Sequence, residues 1–417
     1  MQKLEIIGGK KLSGTVIISG SKNASLPILA ATLLSDKVQI QNLPKVKDIE
    51  TMLLLLKSLG SDIKNKGKEV IFIKNSKKIK TFASYNLVKT MRAGILVLGP
   101  LLAKYGKAKV SLPGGCAIGS RPIDVHLKAL SKLGVNYKII QGYVHAKAPK
   151  GLVGAKIKFP KISVGATENL IIAASLAKGQ TILYNCAIEP EIKDLINFLN
   201  KMGCKIKWIS KRSIKIIGVK KLKLINYSIM SDRIEAGTYL IAAALTEGNL
   251  KIKGIDPKII KTEIDTLKKI GAKIKLKKNE INIQGNKNIK SINIKTAPYP
   301  GFPTDLQAQI MVLLCRGNKK SIIREEIFEN RFMHVAELNR MGAQITINGN
   351  KVSIEGKIKF ASAELMATDL RASVSLILAA LTARGKSTIN RIYHLDRGYE
   401  NIEKKLKKIG ARIRRVN

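Results

Sequence analysis

Residues 266–276, "TLKKIGAKIKL", have the pattern of a helix that stops at a glycine and continues as a strand. Leu267 and Ile270 are three residues apart, the spacing of one helix face. Gly271 supplies the left-handed backbone conformation that ends many helices. After it, apolar residues alternate with lysines, which is typical of a strand with one buried face. The stretch predicts a helix, a glycine stop and a strand.

This phrase occurs six times, at glycines 68 to 74 residues apart: Gly60, Gly134, Gly203, Gly271, Gly342 and Gly410. Between the copies lies a second phrase, an Ala- and Leu-rich run followed by a turn and a strand, such as "ENLIIAASLAKGQTILYN" at 168–185. Runs without a polar side predict helices buried on all faces, and the lysine-rich helices predict one face in water. We therefore predict six units of about 70 residues, each with a buried helix, a surface helix and several strands.

The length of 417 residues exceeds what one core usually holds, so we divide the units as three plus three in two domains. We find no signal peptide and no apolar run near the ~20 residues that span a bilayer, and we expect a soluble cytoplasmic protein without membrane contact. The four cysteines form no CxxC pair, which predicts free thiols. Cys186, Cys204 and Cys315 have the surroundings of core residues, whereas Cys116 lies among glycines.

The formal net charge of +46 raises the possibility of a nucleic-acid-binding protein. However, the lysines are spread through the whole chain, and aromatic residues are only 5%, too few for stacking platforms. We interpret the lysines as residues on solvent-exposed faces. A basic nucleic-acid-binding protein remains the alternative function from a different class of protein. The four histidines show no metal-binding spacing and no glycine-rich nucleotide loop occurs, so we predict no metal and no cofactor.

Residues 112–126, "LPGGCAIGSRPIDVH", place Cys116 and Arg121 in a glycine-rich loop before a helical pattern. Pro122 suits the first position of a helix, whose free N–H groups favour an anion. The guanidinium of Arg121 is a bidentate donor for phosphate or carboxylate, and a positive setting lowers the pKa of a thiol. Cys116 is therefore a candidate reactive thiol beside an anion site, or else a small residue in a tight loop.

Two further residues precede predicted helices. Lys22, in "SGSKNASLP" at 19–27, follows the good N-cap Ser21, and its charge opposes the helix dipole. It is either a solvent-facing lysine or a phosphate clamp. Asp305, in "YPGFPTDLQAQ" at 299–309, is either an N-cap or a base for a substrate hydroxyl.

Four arginines lie in turns and at predicted helix starts: Arg92, Arg331, Arg371 and Arg397. Each fits a surface ion pair, and Asp369 before Arg371 and Asp396 before Arg397 suggest two such pairs. Phosphate, carboxylate and diphosphate groups would instead need several such cations.

The motifs "SGSKNASLPILAATLL", "LPGGCAIGSRPIDVH", "FPTDLQAQ", "FENRFMH", "ATDLRAS" and "HLDRGYE" together resemble the enolpyruvyl transferases over residues 3–416. The resemblance implies a two-domain inside-out α/β barrel of six βαβ-type units, three per domain. It implies one domain at 22–230, the other at 1–21 plus 231–417, and an active site in the cleft between them. The cysteine loop resembles the branch of the family that uses UDP-N-acetylglucosamine rather than shikimate 3-phosphate.

The resemblance implies that the enolpyruvyl group of phosphoenolpyruvate is transferred to the 3-hydroxyl of UDP-N-acetylglucosamine through a tetrahedral ketal, with release of phosphate. This is the first committed step of peptidoglycan synthesis. It implies that Cys116 donates the proton to carbon, can hold a covalent adduct and is alkylated by fosfomycin. Asp305 would be the base or would orient the hydroxyl, and Lys22 and Arg397 would also be catalytic. The residues implied in substrate binding are Lys22, Asn23, Arg92, Arg121, Pro122, Ile123, Asp124, Val125, Lys161, Ile162, Ser163, Val164, Asp305, Ile327 and Arg397, with Arg331 and Arg371 as supporting residues.

Overall fold

The computed structural model describes residues 2–66, 70–114 and 123–417. These residues form two compact units. The first unit comprises residues 2–19 and 231–417, and the second comprises residues 20–114 and 123–230. The chain therefore passes into the second unit after residue 19 and returns to the first after residue 230.

The strands are numbered in chain order through both units. They are β1 (Lys3–Ile7), β2 (Ser13–Ile17), β3 (Lys37–Gln41), β4 (Ser61–Lys66), β5 (Val70–Asn75), β6 (Phe82–Ala83), β7 (Lys107–Ser111), β8 (Asn136–Ile140), β9 (Tyr143–Lys147), β10 (Lys156–Lys158), β11 (Gln180–Tyr184), β12 (Lys205–Ser210), β13 (Ser213–Ile217), β14 (Asn226–Ser228), β15 (Asn249–Lys253), β16 (Lys273–Lys277), β17 (Glu280–Gln284), β18 (Ile294–Lys295), β19 (Ser321–Arg324), β20 (Ile345–Asn348), β21 (Lys351–Ile354), β22 (Glu364–Met366), β23 (Lys386–Asn390) and β24 (Arg412–Val416).

The helices are numbered in the same way. They are α1 (Lys22–Ala31), α2 (Lys47–Leu59), α3 (Tyr85–Val88), α4 (Leu98–Tyr105), α5 (Asp124–Lys132), α6 (Val164–Ala174), α7 (Pro190–Lys201), α8 (Arg233–Leu245), α9 (Lys261–Ile270), α10 (Gln307–Cys315), α11 (Val335–Arg340), α12 (Leu370–Thr382) and α13 (Ile402–Lys408). Short 3-10 helices cover Thr32–Leu34, Arg92–Val97, Pro257–Ile260, Thr304–Leu306 and Ile392–Arg397.

The described strands form six four-stranded sheets, three in each unit, and all six have the same pattern of pairing. In each sheet an edge strand runs parallel to a second strand, which pairs antiparallel with a third, and the third pairs antiparallel with a fourth. In five of these sheets the third and fourth strands form a hairpin. The sheets of the first unit have the orders β2-β15-β17-β16, β18-β19-β21-β20 and β22-β23-β1-β24. Those of the second unit have the orders β14-β3-β5-β4, β6-β7-β9-β8 and β10-β11-β13-β12. The predicted α/β fold of six repeats is confirmed, but within the described residues the strands form separate open sheets and not one closed barrel.

Strand β1 completes the last sheet of the first unit. It lies between β23 and β24, with Leu4 opposite Ile389 and Lys3 opposite Val416. In the other five sheets this position is held by the second strand of a hairpin that follows its own helix. The sixth repeat is therefore built from both ends of the sequence.

Among the described residues, each unit contains three helices with at most one exposed residue. These are α8, α10 and α12 in the first unit and α1, α4 and α6 in the second; every residue of α8 and α10 is buried. In the first unit the three helices contact one another, and each also packs on the sheet of its own repeat. Ala-rich sequences suit this position because small side chains let neighbouring helices approach closely. The prediction of helices buried on all faces is confirmed.

The surface helices end as the repeated phrase predicts. In α9 the buried face consists of Ile264, Leu267 and Ile270 with Glu263. The glycine that follows each of the six surface helices has φ between 90° and 114°. A strand begins within three residues after each glycine. The predicted succession of helix, glycine and strand is therefore confirmed at all six positions.

Substitution of Gly342 tests the backbone requirement alone. Its φ is 90°, and no atom lies within 4 Å of the position that a Cβ would occupy. We expect Gly342→Ala to lower the free energy of unfolding by about 1 kcal/mol, because an L residue is strained in the left-handed region. Gly342→Asn should cost less, since asparagine tolerates that region. Urea denaturation followed by circular dichroism measures both, and an equal loss in the two variants would contradict this explanation.

Candidate active site

The residues predicted to bind substrate in the second unit lie largely at the N-termini of its buried helices. Lys22 and Asn23 begin α1, and Arg92 begins the 3-10 helix that continues into α4. Ser163 is the N-cap of α6, and its Oγ accepts a hydrogen bond from the N–H of Ala166 at 3.3 Å. Helix N-termini expose unpaired N–H groups and the positive end of the helix dipole, so they favour anions.

Lys22 is held inside the protein. Ser21 caps α1 as expected, with its Oγ accepting from the N–H of Ala24 at 3.2 Å. Nζ of Lys22 lies 3.4 Å from Oδ2 of Asp48, in the first turn of α2, and the two side chains are only 13% and 7% exposed. The alternative of a solvent-facing lysine is therefore wrong. The carboxylate of Asp48, which sequence reasoning did not single out, offsets the cost of a cation at a helix N-terminus.

The second group of predicted residues surrounds the starts of α5 and α6. Cys116, Arg121 and Pro122 lie outside the described residues. Ile123 is the N-cap residue of α5, Asp124 is exposed and Val125 is buried. In the loop before α6, Lys161 is exposed and Ile162 is half-buried, and Val164 at the start of the helix is 38% exposed.

His126 in α5 binds Asn169 in α6 as a neutral side chain. Its burial lowers its pKa to about 4. Oδ1 of Asn169 accepts from the N–H of Gly99 at 2.8 Å, so the amide nitrogen donates to the carbonyl of Ile95 and to Nδ1 of His126, each at 3.2 Å. Nδ1 is thus an acceptor, and the proton of the neutral ring is on Nε2.

In the first unit, an aspartate lies near the start of each buried helix. Asp232 caps α8 through the N–H of Ile234 at 2.8 Å, and Asp369 caps α12 through the N–H of Arg371 at 2.8 Å. Asp305 lies differently, inside the 3-10 turn Thr304–Leu306, and the N-cap residue of α10 is Leu306. The interpretation of Asp305 as an N-cap is therefore wrong.

The carboxylate of Asp305 binds two buried arginines. Nη2 of Arg331 donates to Oδ1 at 2.7 Å, and Nη2 of Arg371 donates to Oδ2 at 2.7 Å. The arginine side chains are 5% and 6% exposed, whereas that of Asp305 is 26% exposed. Burial opposes the charge of Arg371, but the carboxylate of Asp305 raises its pKa above its ordinary value. Two fixed guanidinium groups thus orient a carboxylate that solvent, or a substrate, can still reach.

The ion pairs expected from neighbouring residues are not the ones that form. Asp369 caps a helix while Arg371 binds Asp305. Asp396 accepts two hydrogen bonds from Arg415, at 2.7 and 2.9 Å. Arg397 ends the 3-10 helix Ile392–Arg397 and is half-buried.

Glu325 is a buried residue of this site that sequence reasoning missed. Its carboxylate accepts from Oγ1 of Thr304 at 3.0 Å, from the N–H of Ile327 at 2.9 Å and from that of Phe328 at 3.2 Å. The guanidinium of Arg331 lies over the ring of Phe328, 5.4 Å from its centroid. Glu325 therefore fixes the turn that carries Asp305 and the loop that carries Ile327. No local pattern marked it, because its partners come from two separate segments.

Cys186, Cys204 and Cys315 are buried, and burial raises the pKa values of their thiols to about 12, 11 and 12, as expected for core residues. Within residues 2–66, 70–114 and 123–417, no group of three or more histidine, cysteine, aspartate or glutamate side chains is placed to hold a metal ion. No helix there has the length and apolar character needed to cross a membrane.

The sequence and the fold match known proteins. The family model of EPSP synthase (3-phosphoshikimate 1-carboxyvinyltransferase) matches residues 6–406, and the chain belongs to this family. Among curated relatives, the UDP-N-acetylglucosamine 1-carboxyvinyltransferase of Pelagibacter ubique (strain HTCC1062) is 78% identical, and that of Geobacter metallireducens is 52% identical. Both alignments cover 100% of this chain and 100% of the relative.

Solved structures share the fold. The enolpyruvyl transferase NikO from Streptomyces tendae has a TM-score of 0.90 at 24% identity, over 100% of this chain and 99% of that chain. EPSP synthase from Acinetobacter baumannii has a TM-score of 0.77 at 19% identity, over 100% of both chains. The predicted family, enzyme class and fold are confirmed, and the roles of single site residues stay predictions.

The Asp305 pairs can be tested through stability. We expect Asp305→Asn to lower the free energy of unfolding by about 2 kcal/mol, because it leaves two buried guanidinium groups without a full counter-charge. Asp36→Asn is the matched control, since Asp36 pairs with Lys104 at 3.1 Å but is 82% exposed. The control should cost below about 1 kcal/mol. Urea denaturation measures both variants. Equal losses in the free energy of unfolding would contradict the explanation that Asp305 stabilises two buried arginines.

Proposed function

We propose that this chain transfers the enolpyruvyl group of phosphoenolpyruvate to the 3-hydroxyl of UDP-N-acetylglucosamine and releases inorganic phosphate. The names of the relatives at 78% and 52% identity over the full chain support this substrate pair. The structural observation that carries the chemistry is the exposed edge of the Asp305 carboxylate, oriented by Arg331 and Arg371. We place the reaction in the cytoplasm, as the step that commits the nucleotide sugar to peptidoglycan and hence to cell-wall growth and division.

The reaction needs one group that accepts a proton and one that donates a proton. The sugar hydroxyl adds to C2 of phosphoenolpyruvate and gives up its proton, while the methylene carbon C3 receives one, and the product is a tetrahedral ketal. In the second step the bond from C2 to the phosphate oxygen breaks, and C3 loses a proton as the double bond re-forms. A carboxylate can accept the proton of the hydroxyl, and a thiol can donate a proton to C3.

We assign to Asp305 the orientation and deprotonation of the 3-hydroxyl of the sugar. Each oxygen of a carboxylate can accept more than one hydrogen bond, so both can hold an arginine and still receive one from the substrate. With Arg331 and Arg371 fixing both oxygens, the carboxylate is positioned before the sugar arrives, which avoids an ordering cost in the transition state. Asp305 orients the 3-hydroxyl and accepts its proton as the oxygen attacks.

We assign the anionic groups to the helix N-termini and their cations. Lys22, Asn23, Arg121 and Arg397 would bind phosphoenolpyruvate and stabilise the phosphate as it leaves. The residues assigned to the nucleotide sugar are Arg92, residues 121–125 and 161–164, and Ile327. Cys116 would supply the proton to C3, and its loop would close over the substrates and exclude water.

The reaction is tested by inorganic phosphate released from phosphoenolpyruvate. We expect release only when UDP-N-acetylglucosamine is present, and we expect fosfomycin to stop it by alkylating Cys116. Shikimate 3-phosphate is the matched control acceptor and should give no release. Release with that acceptor instead would assign the chain to the other branch of its family. No release with either acceptor would contradict the proposal, and salt-dependent RNA binding would then be measured.

The role of Cys116 is tested by two substitutions. We expect Cys116→Ala to lose most turnover while binding UDP-N-acetylglucosamine with little change, because only the proton donor is removed. Cys116→Asp should keep activity, since a carboxylic acid can also donate a proton. Cys204→Ala is the matched control, because this thiol is buried in the core. Steady-state phosphate release and calorimetric binding measure all three, and full turnover by Cys116→Ala would refute the assignment.

A further inference from the structure

Tyr399 lies behind the candidate site with its hydroxyl buried among polar groups. The residue is 3% exposed and follows the 3-10 helix that ends at Arg397. Its hydroxyl is 3.2 Å from Nη1 of Arg371, 3.3 Å from Nε2 of Gln309 and 2.9 Å from Oγ1 of Thr238. The guanidinium of Arg371 also lies over the tyrosine ring, 5.6 Å from its centroid.

The direction of each hydrogen bond at this hydroxyl follows from its partners. Arg371 can only donate, and Nε2 of Gln309 is an amide donor, so the hydroxyl oxygen accepts from both. Oγ1 of Thr238 donates to the carbonyl of Ile234 at 2.9 Å. The proton of Tyr399 is therefore donated to Thr238, and the capacity of the hydroxyl for hydrogen bonds is filled.

These bonds close a cycle around Asp305. Nη2 of Arg371 donates to the carboxylate of Asp305 at 2.7 Å, and Nη1 of the same guanidinium donates to Tyr399. Nε2 of Gln309 donates to the hydroxyl of Tyr399 and also to the backbone carbonyl of Asp305 at 2.9 Å. One hydroxyl thus connects to both the side chain and the backbone of Asp305, through two different residues.

We propose that Tyr399 is a positioning residue for the carboxylate of Asp305 and thereby for the acceptor hydroxyl. The inference rests on the proposed function and adds a residue that acts without touching substrate. Arg331 holds Oδ1 of Asp305, whereas the position of Oδ2 depends on Arg371. Without the hydroxyl of Tyr399, Nη1 of Arg371 loses a buried acceptor. Gln309, which also binds the backbone carbonyl of Asp305, loses its link to Arg371.

A neighbouring tyrosine supplies the matched control. Tyr239, in α8, is 1% exposed, and its buried hydroxyl forms no hydrogen bond with any of the described residues. Tyr399→Phe and Tyr239→Phe therefore remove the same atom from the same unit, but only the first breaks the cycle. A general effect of removing a buried hydroxyl would appear in both variants.

We expect Tyr399→Phe to lower kcat about tenfold in the phosphate-release assay, and to change KM for phosphoenolpyruvate less than about twofold. Tyr239→Phe should keep kcat within about twofold of the unsubstituted protein. Thermal unfolding midpoints separate lost activity from lost folding, since both variants should remain folded at the assay temperature. Equal kcat values for Tyr399→Phe and Tyr239→Phe would overturn the proposal.

A double-mutant cycle tests whether Tyr399 acts through Asp305. In an Asp305→Asn background, measured over hours at high enzyme concentration, Tyr399→Phe should lower the rate less than about twofold. A further tenfold loss would mean that the tyrosine acts elsewhere and would overturn the proposal. If the Asp305→Asn background turns over too slowly, calorimetric Kd values for UDP-N-acetylglucosamine complete the cycle. In that background Tyr399→Phe should then change Kd less than about twofold. Failure of the unsubstituted protein to release phosphate would instead refute the proposed function, so the two failures are distinguishable.

Discussion

A helix without a polar face is stable in water only if other elements cover it on every side. Among the described residues, α8, α10 and α12 of the first unit have that character; they cover one another while each also packs on its own sheet. Burial of one large apolar side chain contributes roughly 1.5–3 kcal/mol, and the large apolar residues of these helices share the core with residues of the strands and surface helices. The surface helices and hairpins then have one apolar face each, which is what the repeated lysine-rich phrase encodes.

The same constraint determines where polar chemistry can occur. A fully buried helix can reach polar groups only at its ends, and its N-terminus has N–H groups to satisfy. The start of each buried helix in the first unit therefore carries an aspartate, and two of these, Asp232 and Asp369, satisfy the backbone. At the third, a 3-10 turn removes the need for a side-chain cap, and Asp305 binds arginines instead. The same position in the repeat thus carries a capping aspartate in two copies and, in the third, an aspartate that binds two arginines.

Local physics explains how much the sequence could predict. The glycine stop and the alternating strand after it depend on residues within one short phrase, and all six copies form as expected. An aspartate before a helix usually caps it, as Asp369 does, so the cap interpretation of Asp305 was reasonable although it is wrong. The arginines that bind Asp305 are 26 and 66 residues away in sequence, and the hydroxyl of Tyr399 is 90 residues from Gln309. Such contacts are determined by how the repeats pack on one another, and a short sequence pattern carries no information on that packing.

The place of β1 between β23 and β24 affects how the protein folds as it leaves the ribosome. All strands in the three sheets of the second unit lie between residues 37 and 228, so these sheets can form while later residues are still being translated. Strand β1 has been made by then, but both of its neighbours lie beyond residue 385. Its Leu4 and Ile6, fully buried in the folded protein, cannot pair with these neighbouring strands before then. Completion of the last sheet is therefore a late step that joins the two ends of the sequence, and its contacts are among the most distant along the chain.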